Sequence, residues 1–346
     1  MKSTYLIGEI GQNHNGSVDI AKLLIDKAAQ EVVDPLFAQH LKSWDAVKLT
    51  KRDLTEELST SAMAKPYDNP NSFGKTYGEH RAALELNDEQ HFELYQYAKS
   101  YGLDFVETLC AIGCLSMLKY FQPDRLKVAS RDLTNLPLLE ALAETKIPII
   151  FSTGMGGVKE IDNALEVITK HHEQITILHC LSQYPSEYKN INLNSIHFLK
   201  ERYAKYTIGY SDHSIGIAIP NAAVAMGAEV IEKHITLDRS MKGTDQKGSL
   251  APDGMYRMVR DIRNLEMALG DMKKEASEAV LSARVKLERS IASKRDLKAG
   301  ETIKEKDLHM LSPGDGLKWS ERENLIGKKL KFDVLKNEIL YINMIN

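Results

Sequence analysis

The chain has 346 residues, of which 43% are hydrophobic and 27% are charged, and its formal net charge is -3. This composition is typical of a globular protein with one large domain or two, and the charge gives no basic field for binding nucleic acid or an anionic membrane. The apolar stretch in "MKSTYLIGEIG" is shorter than that expected of a secretory signal, and no apolar run approaches membrane-spanning length. Its three cysteines form no CxxC pair, which indicates a reducing compartment, so we expect a cytoplasmic protein.

Short apolar segments recur along the first 235 residues, with helical patterns between most of them. Each segment is almost continuously apolar, as expected of a strand that is buried on both faces. There are eight: "TYLIGEI" (4–10), "DAVKLT" (45–50), "LDFVET" (103–108), "RLKVAS" (125–130), "IPIIFS" (147–152), "ITILHC" (175–180), "YTIGYS" (206–211) and "AEVIEKHI" (228–235). This alternation predicts an α/β fold, a closed parallel (β/α)8 TIM barrel over residues 1–272. An open doubly wound sheet is the alternative, although no G-x-G-x-x-G follows the first segment.

Two parts of the chain depart from this repeat. Residues 51–88 contain "KPYDNPNSFGKTYGEHR" and are interpreted as a long insertion after the second strand, of the kind that often carries function. Residues 273–284 are charged and polar, which indicates a linker, and residues 285–346 alternate short strands with turns. The latter pattern predicts a small β-rich domain, which we expect to pack on another surface because its core is marginal in size.

The active site of a TIM barrel lies at the carboxyl ends of its strands. Ionisable groups in a buried strand are costly unless they are paired or used, so a concentration of them at these ends predicts a functional pocket. The polar residues at the predicted strand ends are Glu9, Lys48, Thr108, Lys127, Ser130, Asp132, Ser152, Ser182, Ser211, His213, Glu232 and His234. Two lysines among several hydroxyl groups suit a small substrate that carries a phosphate and a carboxylate.

His213 and His234 follow the last two predicted strands. Because adjacent strands lie roughly 5 Å apart, the two imidazoles could reach one cation, and such ligands suit Mn, Zn, Fe or Co. A core or hydrogen-bonding role for both histidines is the alternative. Glu232 lies two residues before His234 and therefore on the same strand face, where it could act as a ligand, an orienting partner or a base.

Several motifs, in order, resemble the sialic acid synthase family: "GEIGQNHNGS", "DAVKLTK", "GKTYGEHR", "KVASRDL", "IGYSDHSIG" and "EKHITLD…KGTDQKGSLAP". The segment "SIASKRDLKAGETIKEKDL" resembles the antifreeze-like (SAF) domain of those enzymes. The resemblance implies a TIM barrel followed by a SAF domain, in a domain-swapped homodimer whose SAF domains each cover the partner's active site. It also implies a divalent metal ion, typically Mn with Mg or Co as alternatives, at His213 and His234.

The reaction implied by the resemblance is the condensation of phosphoenolpyruvate with N-acetylmannosamine or a related aldose, which gives a nonulosonic (sialic) acid and phosphate. Glu9, Lys48 and Asp132 match positions around the reacting centre and, with Glu232, are the expected catalytic groups. Tyr184, Asp245 and Gln246 are the expected sugar contacts. The expected phosphoenolpyruvate contacts are Thr108, Lys127, Ser130, Ser152, Ser182 and Ser211.

Three positions depart from the family pattern, and all of them concern the sugar side. Arg131 stands where glycine is common, Gln246 where histidine is common, and Ser312 where some relatives have arginine. These departures leave the identity of the aldose open. Two other functions also remain open: a Schiff-base aldolase that uses Lys48 or Lys127 as nucleophile, and a non-catalytic sugar-binding protein.

Overall fold

The computed structural model describes residues 3–346, which form two compact units, one ending at Gly270 and one spanning Asp271–Asn346. In the first unit eight parallel strands close into a barrel in which each strand pairs with its chain neighbours and the first pairs with the last. All eight predicted segments are strands of this barrel, so the TIM-barrel prediction is confirmed and the doubly wound sheet is wrong. The strands are β1 (Tyr5–Gly11), β2 (Ala46–Lys51), β3 (Asp104–Leu109), β4 (Arg125–Val128), β5 (Ile149–Ser152), β6 (Ile175–Cys180), β7 (Thr207–Asp212) and β8 (Val230–His234).

Helices cover the outside of the barrel, and apolar side chains between helices and strands make up the main core. The connection from β3 to β4 is the exception, since it is a 3-10 helix at Ile112–Lys119. No helix within residues 3–346 has both the length and the apolar character that crossing a membrane requires. The helices of this unit are α1 (Val18–Ala29), α2 (Thr60–Met63), α3 (Tyr77–Ala83), α4 (Asp88–Ser100), α5 (Leu136–Glu144), α6 (Val158–Ile168), α7 (Tyr188–Ile191), α8 (Ser195–Arg202), α9 (Ala218–Ala225) and α10 (Pro252–Leu269).

On the inward face of the barrel, the side chains change from apolar to polar over two residues of a strand. A separate apolar cluster fills the lower interior and includes Ile7, Ala46, Val106, Ile150 and Val230. Side chains two residues further along a strand point to the same face, and at these positions the chain has Glu9, Lys48, Thr108, Ser152 and Glu232. The apolar layer therefore forms the floor of a polar layer at the carboxyl ends of the strands.

Residues 52–87 form the insertion between β2 and α4, which contains α2 and α3 and an antiparallel bridge between Pro66 and Thr76. Thr76 caps α3, because its hydroxyl oxygen accepts a hydrogen bond from the Glu79 amide while the Glu79 carboxylate accepts one from the Thr76 amide. This capping box satisfies amide groups at the start of the helix. A second small addition, the antiparallel hairpin of Val32–Asp34 and Gln39–Leu41, lies between α1 and β2.

The second unit is built from short strands, bridges and turns around its own apolar core, as the sequence predicts. The strands β9 (Ser290–Ser293) and β10 (Leu308–Leu311) pair antiparallel, and isolated bridges tie Leu297 to Val334 and Thr302 to Lys329. Residues 281–284, at the end of the segment predicted as a linker (273–284), lie in the helix α11 (Leu281–Leu287). The core side chains are Ile291, Leu297, Ile303, Leu308, Leu325, Leu330, Val334, Leu340 and Ile345.

Candidate active site

A cavity of about 320 Å³ opens at the carboxyl ends of the barrel strands. Every site residue predicted from the sequence lines this cavity except Asp132 and Gln246. The strand-end positions thus converge because parallel strands bring their carboxyl ends to one rim. The predicted residues that line it are Glu9, Lys48, Thr108, Lys127, Ser130, Ser152, Ser182, Tyr184, Ser211, His213, Glu232, His234 and Asp245.

Two lysines and two carboxylates alternate across the floor of the cavity. Lys48 Nζ lies 2.7 Å from Glu9 Oε2 and 3.7 Å from Glu232 Oε2, while Lys127 Nζ lies 3.8 Å from Glu232 Oε1. Burial by itself would raise the pKa of Glu232, but the ammonium groups of Lys127 and Lys48 outweigh it and hold that pKa low. Glu232 therefore stays ionised and serves as the common partner of both lysines.

Glu9 is the second carboxylate of this floor, and its pKa moves in the opposite direction. Burial raises the pKa of Glu9 to about 7, against the opposing effect of Lys48 and with a further contribution from the negative charge of Glu232. A carboxyl group with a pKa near neutrality can hold or release a proton during turnover. The two carboxylates are thereby suited to different tasks although both contact Lys48.

The β4–β5 side of the cavity collects donors that suit an anion. Lys127 Nζ donates to Ser152 Oγ at 2.7 Å and to the Val128 carbonyl at 3.1 Å, and Ser130 Oγ accepts from the Gly154 amide at 3.0 Å. A Cβ at Gly154 would stand 2.5 Å from Ser182 Oγ, so only glycine keeps this space open. The ammonium group and the neighbouring hydroxyl groups form a compact pocket for a phosphate or carboxylate.

The two predicted metal ligands face each other at the β7–β8 side of the cavity, with ring centroids 5.5 Å apart. The Tyr184 ring lies 4.1 Å from the His213 ring and 6.3 Å from the His234 ring, centroid to centroid. His213 Nδ1 contacts the Leu181 carbonyl at 2.9 Å, and a donor bond there fixes the tautomer and leaves Nε2 free. His234 Nδ1 is buried without a hydrogen-bond partner, and burial lowers the pKa of His234, which keeps the ring neutral.

Imidazole rings with ring nitrogens that face a cavity fit a divalent transition-metal ion. Within the described part of the chain, no group of three or more His, Cys, Asp or Glu side chains could hold such an ion. Glu232 is occupied by the lysines and by Ser211 Oγ, which donates to it at 2.8 Å. The remaining ligands of an ion held by His213 and His234 would therefore be water or substrate.

Asp132 and Gln246 occupy other positions than the sequence led us to expect. Asp132 Oδ2 accepts from Arg131 Nε at 3.2 Å, outside the cavity lining, and burial raises its pKa. Gln246 is fully buried; its Oε1 accepts from Thr236, and its Nε2 donates to the Asn13 carbonyl at 3.2 Å. Gln246 therefore fastens the loop after β8, and it is the preceding residue, Asp245, that lines the cavity.

The insertion contributes cavity residues that we did not single out from the sequence. Arg52, Tyr67, Tyr77, His80 and Arg81 all line the cavity. The motif "GKTYGEHR" marks the segment, but neither spacing nor composition indicates which of its side chains turn inward. The insertion and the loop after β1 meet at Gln12, whose side-chain oxygen, with the amide oriented to satisfy its neighbours, accepts 2.7 Å bonds from both arginines.

Arg131, the first departure from the family pattern, has a partner from the insertion. Arg131 Nη1 lies 2.6 Å from Glu57 Oε1, and Glu57 Oε2 lies 3.6 Å from Arg52 Nε. The Glu57 side chain is only 5% exposed, so it places a negative charge between two guanidinium groups. The additional charge of Arg131 in the cavity wall is thus neutralised by a residue far from it in sequence.

Comparisons with known proteins agree with this architecture. Residues 38–274 match the model of the NeuB family, and residues 288–346 match the SAF domain. The chain is 35% identical over 335 residues to the N,N'-diacetyllegionaminic acid synthase of Legionella pneumophila, covering 95% of this chain and 91% of that protein. It is 32% identical to the human N-acetylneuraminate-9-phosphate synthase, covering 99% and 92%.

A similar solved structure is the N-acetylneuraminic acid (sialic acid) synthetase of Leptospira borgpetersenii in complex with citrate. It superimposes with a TM-score of 0.68 at 31% identity and covers 82% of this chain and 90% of that one. The matches extend over both units, in the same order along the chain. The chain therefore belongs to the NeuB family of sialic acid synthases and carries a carboxyl-terminal SAF domain.

Proposed function

We propose that the protein condenses phosphoenolpyruvate with N-acetylmannosamine or a related N-acylated aldose, in a metal-dependent reaction that yields a nonulosonic acid and phosphate. The observation that carries this proposal is the cavity floor, where Lys127 and Lys48 alternate with Glu232 and Glu9 beside the imidazole rings of His213 and His234. Relatives bear the names of N-acetylneuraminate-9-phosphate, diacetyllegionaminic acid and pseudaminic acid synthases. These enzymes differ in their product, so the family likeness supports the reaction class more than one aldose.

Phosphoenolpyruvate is assigned to the β4–β5 side of the cavity. Lys127 Nζ already donates to Ser152 Oγ and lies 3.8 Å from Glu232 Oε1, and an incoming anion would add a charge-assisted hydrogen bond at closer range. Thr108, which accepts from Lys48 Nζ at 3.1 Å, borders the same space. The proposed reaction requires that C3 of the bound enol face the histidine side of the cavity.

The aldose is assigned to the histidine side, between Tyr184 and Asp245. His213 and His234 would hold the divalent ion, which supplies Lewis-acid polarisation of the aldehyde oxygen. Asp245 accepts hydrogen bonds from hydroxyl groups of the open-chain sugar, and Tyr184 packs against the carbon chain of the sugar. These residues place the aldehyde carbon next to the enol and restrict its orientation.

The reaction balances with one water molecule. C3 of phosphoenolpyruvate forms a bond to the aldehyde carbon, water adds to C2, and the bond between C2 and the bridging oxygen breaks to release phosphate. Glu9, with its pKa near neutrality, is suited to move the proton of that water or of the new hydroxyl group. Lys48 stabilises the negative charge on Glu9 when the proton has left.

We further propose that the protein works in the cytoplasm as a homodimer in which the SAF domain of one chain completes the site of its partner. Support comes from the resemblance of residues 288–346 to the SAF domain. Ser312 takes the place of an arginine found in some relatives, and its hydroxyl donates to the Leu287 carbonyl at 2.9 Å. Recognition of the sugar would then depend on other donors.

A phosphate-release screen tests this proposal. The protein is incubated with phosphoenolpyruvate, Mn²⁺ and a panel of aldoses: N-acetylmannosamine, its 6-phosphate and the sugar precursors of legionaminate and pseudaminate. We expect release that requires one aldose and stops after chelation. Release from none of them would contradict the proposal, and borohydride trapping of pyruvate on Lys48 or Lys127, unaffected by a chelator, would favour the Schiff-base aldolase.

Isotope labelling tests the bond that breaks. Phosphoenolpyruvate labelled in the bridging oxygen should deliver its label to inorganic phosphate, because phosphate leaves C2 with that oxygen. Label retained in the sugar acid would contradict this mechanism.

A further inference from the structure

A fully buried ion pair lies directly behind the two histidines. Asp212 and Lys233 face each other across β7 and β8 in register, and Lys233 Nζ lies 2.5 Å from Asp212 Oδ2. Both side chains are 0% exposed. Strand alternation puts them on the outer face of the barrel, because the next residues, His213 and His234, point into the cavity.

The Asp212 carboxylate is fully occupied by donors. Oδ1 accepts from Tyr210 Oη and from the Ser214 amide at 3.0 Å each, and Oδ2 accepts from Ser214 Oγ at 3.0 Å in addition to Lys233. The bond to the Ser214 amide spans His213, so the backbone of His213 is held in a turn between two fixed points.

Lys233 connects this turn to the other histidine. Its ammonium group bonds both Asp212 and the Ser214 carbonyl, the two residues that flank His213, and it is itself the residue before His234. We use the term brace for Asp212, Ser214 and Lys233. A shift of β8 against β7 would stretch these bonds, so the brace fixes the distance between the histidine backbones.

Stability alone does not account for such a pair. The desolvation of two buried charges offsets most of their attraction, and well-packed apolar residues at such a place are often equally stable. The pair does constrain the relative position of β7 and β8, because each charged group must meet its partner in one geometry. The two histidines need that precision, since their ring centroids stand 5.5 Å apart and a metal ion tolerates little displacement of its ligands.

We propose that the brace is a positioning device that presets the separation of His213 and His234 for a divalent cation. The inference rests on the metal-dependent function proposed above. Asp212, Ser214 and Lys233 act through the backbone of the histidines and contact neither the cation nor the substrates.

The test measures Mn²⁺ binding to the full-length protein without substrates, from the electron paramagnetic resonance signal of free Mn²⁺. Asp212→Asn keeps the size of the side chain and removes the charge that holds Lys233. Changes of this kind around a metal site typically weaken binding about 10- to 100-fold, and we expect a loss in that range. Ser214→Ala, which removes one hydroxyl donor, should fold like the wild type and show a smaller loss.

A second buried ion pair offers a matched control. Asp45 and Arg263 are each 4% exposed and 2.9 Å apart, and Asp45 also accepts from the Leu6 amide near the start of β1, at the opposite end of the barrel. Asp45→Asn should lower the melting temperature and leave Mn²⁺ affinity unchanged. Saturating Mn²⁺ should restore much of the turnover of Asp212→Asn.

The possible failures are distinguishable. If the wild type binds Mn²⁺ and both Asp212→Asn and Ser214→Ala bind it equally well, the brace proposal is overturned and the proposed function stands. If Asp45→Asn loses as much affinity as Asp212→Asn, the effect is one of stability and the proposal is also overturned. If the wild type binds no Mn²⁺ and turns over after complete chelation, the metal-dependent function falls and the brace proposal falls with it.

Discussion

Replacing Lys127 by methionine removes the ammonium group of the proposed phosphoenolpyruvate site and keeps most of its volume. The Lys127 side chain is 3% exposed, and its Nζ lies 2.7 Å from Ser152 Oγ and 3.8 Å from Glu232 Oε1. A charge-assisted hydrogen bond to a buried anion contributes about 2 kcal/mol or more. At 1.4 kcal/mol for each factor of ten, this corresponds to a rise of roughly 30-fold in the KM for phosphoenolpyruvate.

The assay is phosphate release with one substrate varied and the other saturating. The KM for the aldose should change much less, because Lys127 lies on the β4–β5 side of the cavity and the histidines lie on the other. Glu232 keeps Lys48 at 3.7 Å and the Ser211 hydroxyl as partners, so the variant should still fold, which a thermal melt would verify.

Lys99→Met is the matched control for this variant. Lys99 pairs with Asp124 at 2.9 Å, outside the cavity, so its removal should leave both KM values unchanged. An unaltered dependence on phosphoenolpyruvate in Lys127→Met, or an equal change in Lys99→Met, would refute the assignment of Lys127.

Three further predictions concern the two proposed metal ligands, the SAF domain and the buried side chain of His14. His213→Ala and His234→Ala should each abolish turnover while the melting temperature in chelator stays near that of the wild type; full activity after chelation, with no residual metal by elemental analysis, would contradict this. A chain that ends near residue 280 should give a folded barrel with severely reduced activity, and an unchanged kcat/KM would show that the SAF domain does not complete the site. Burial, reinforced by repulsion from His91 and Arg52, lowers the pKa of His14 to about 3 in the folded protein. The pKa of this side chain in the unfolded chain is about 6.5, so between pH 6.5 and pH 3 only the unfolded chain binds a proton at His14. The free energy of unfolding should therefore fall with decreasing pH by up to roughly 1.4 kcal/mol per pH unit. His14→Asn, which keeps an acceptor for the Gly16 amide, should remove that part of the slope in urea titrations, and an identical slope would refute the burial argument.

The sequence by itself determined the barrel and the side of it that carries chemistry. Strands buried on both faces must be almost wholly apolar, so polar residues at the end of each segment stand out, as Glu9, Lys48 and Glu232 do. Once eight such strands close into a barrel, their carboxyl ends share one rim. The convergence of these residues therefore follows from local pattern and topology, without knowledge of any loop.

Tertiary structure alone decided which loop residues face the cavity and which side chains pair. Gln246 and Asp245 are adjacent in sequence, yet Gln246 is buried against Thr236 and Asn13 while Asp245 lines the cavity. Arg131 meets Glu57 across more than seventy residues. Loop backbones lack the periodicity that reveals a strand, and their conformation is set by contacts with distant residues. The pairing of Asp212 with Lys233 likewise required the register of two neighbouring strands, because alternation shows the face of a side chain but not its partner.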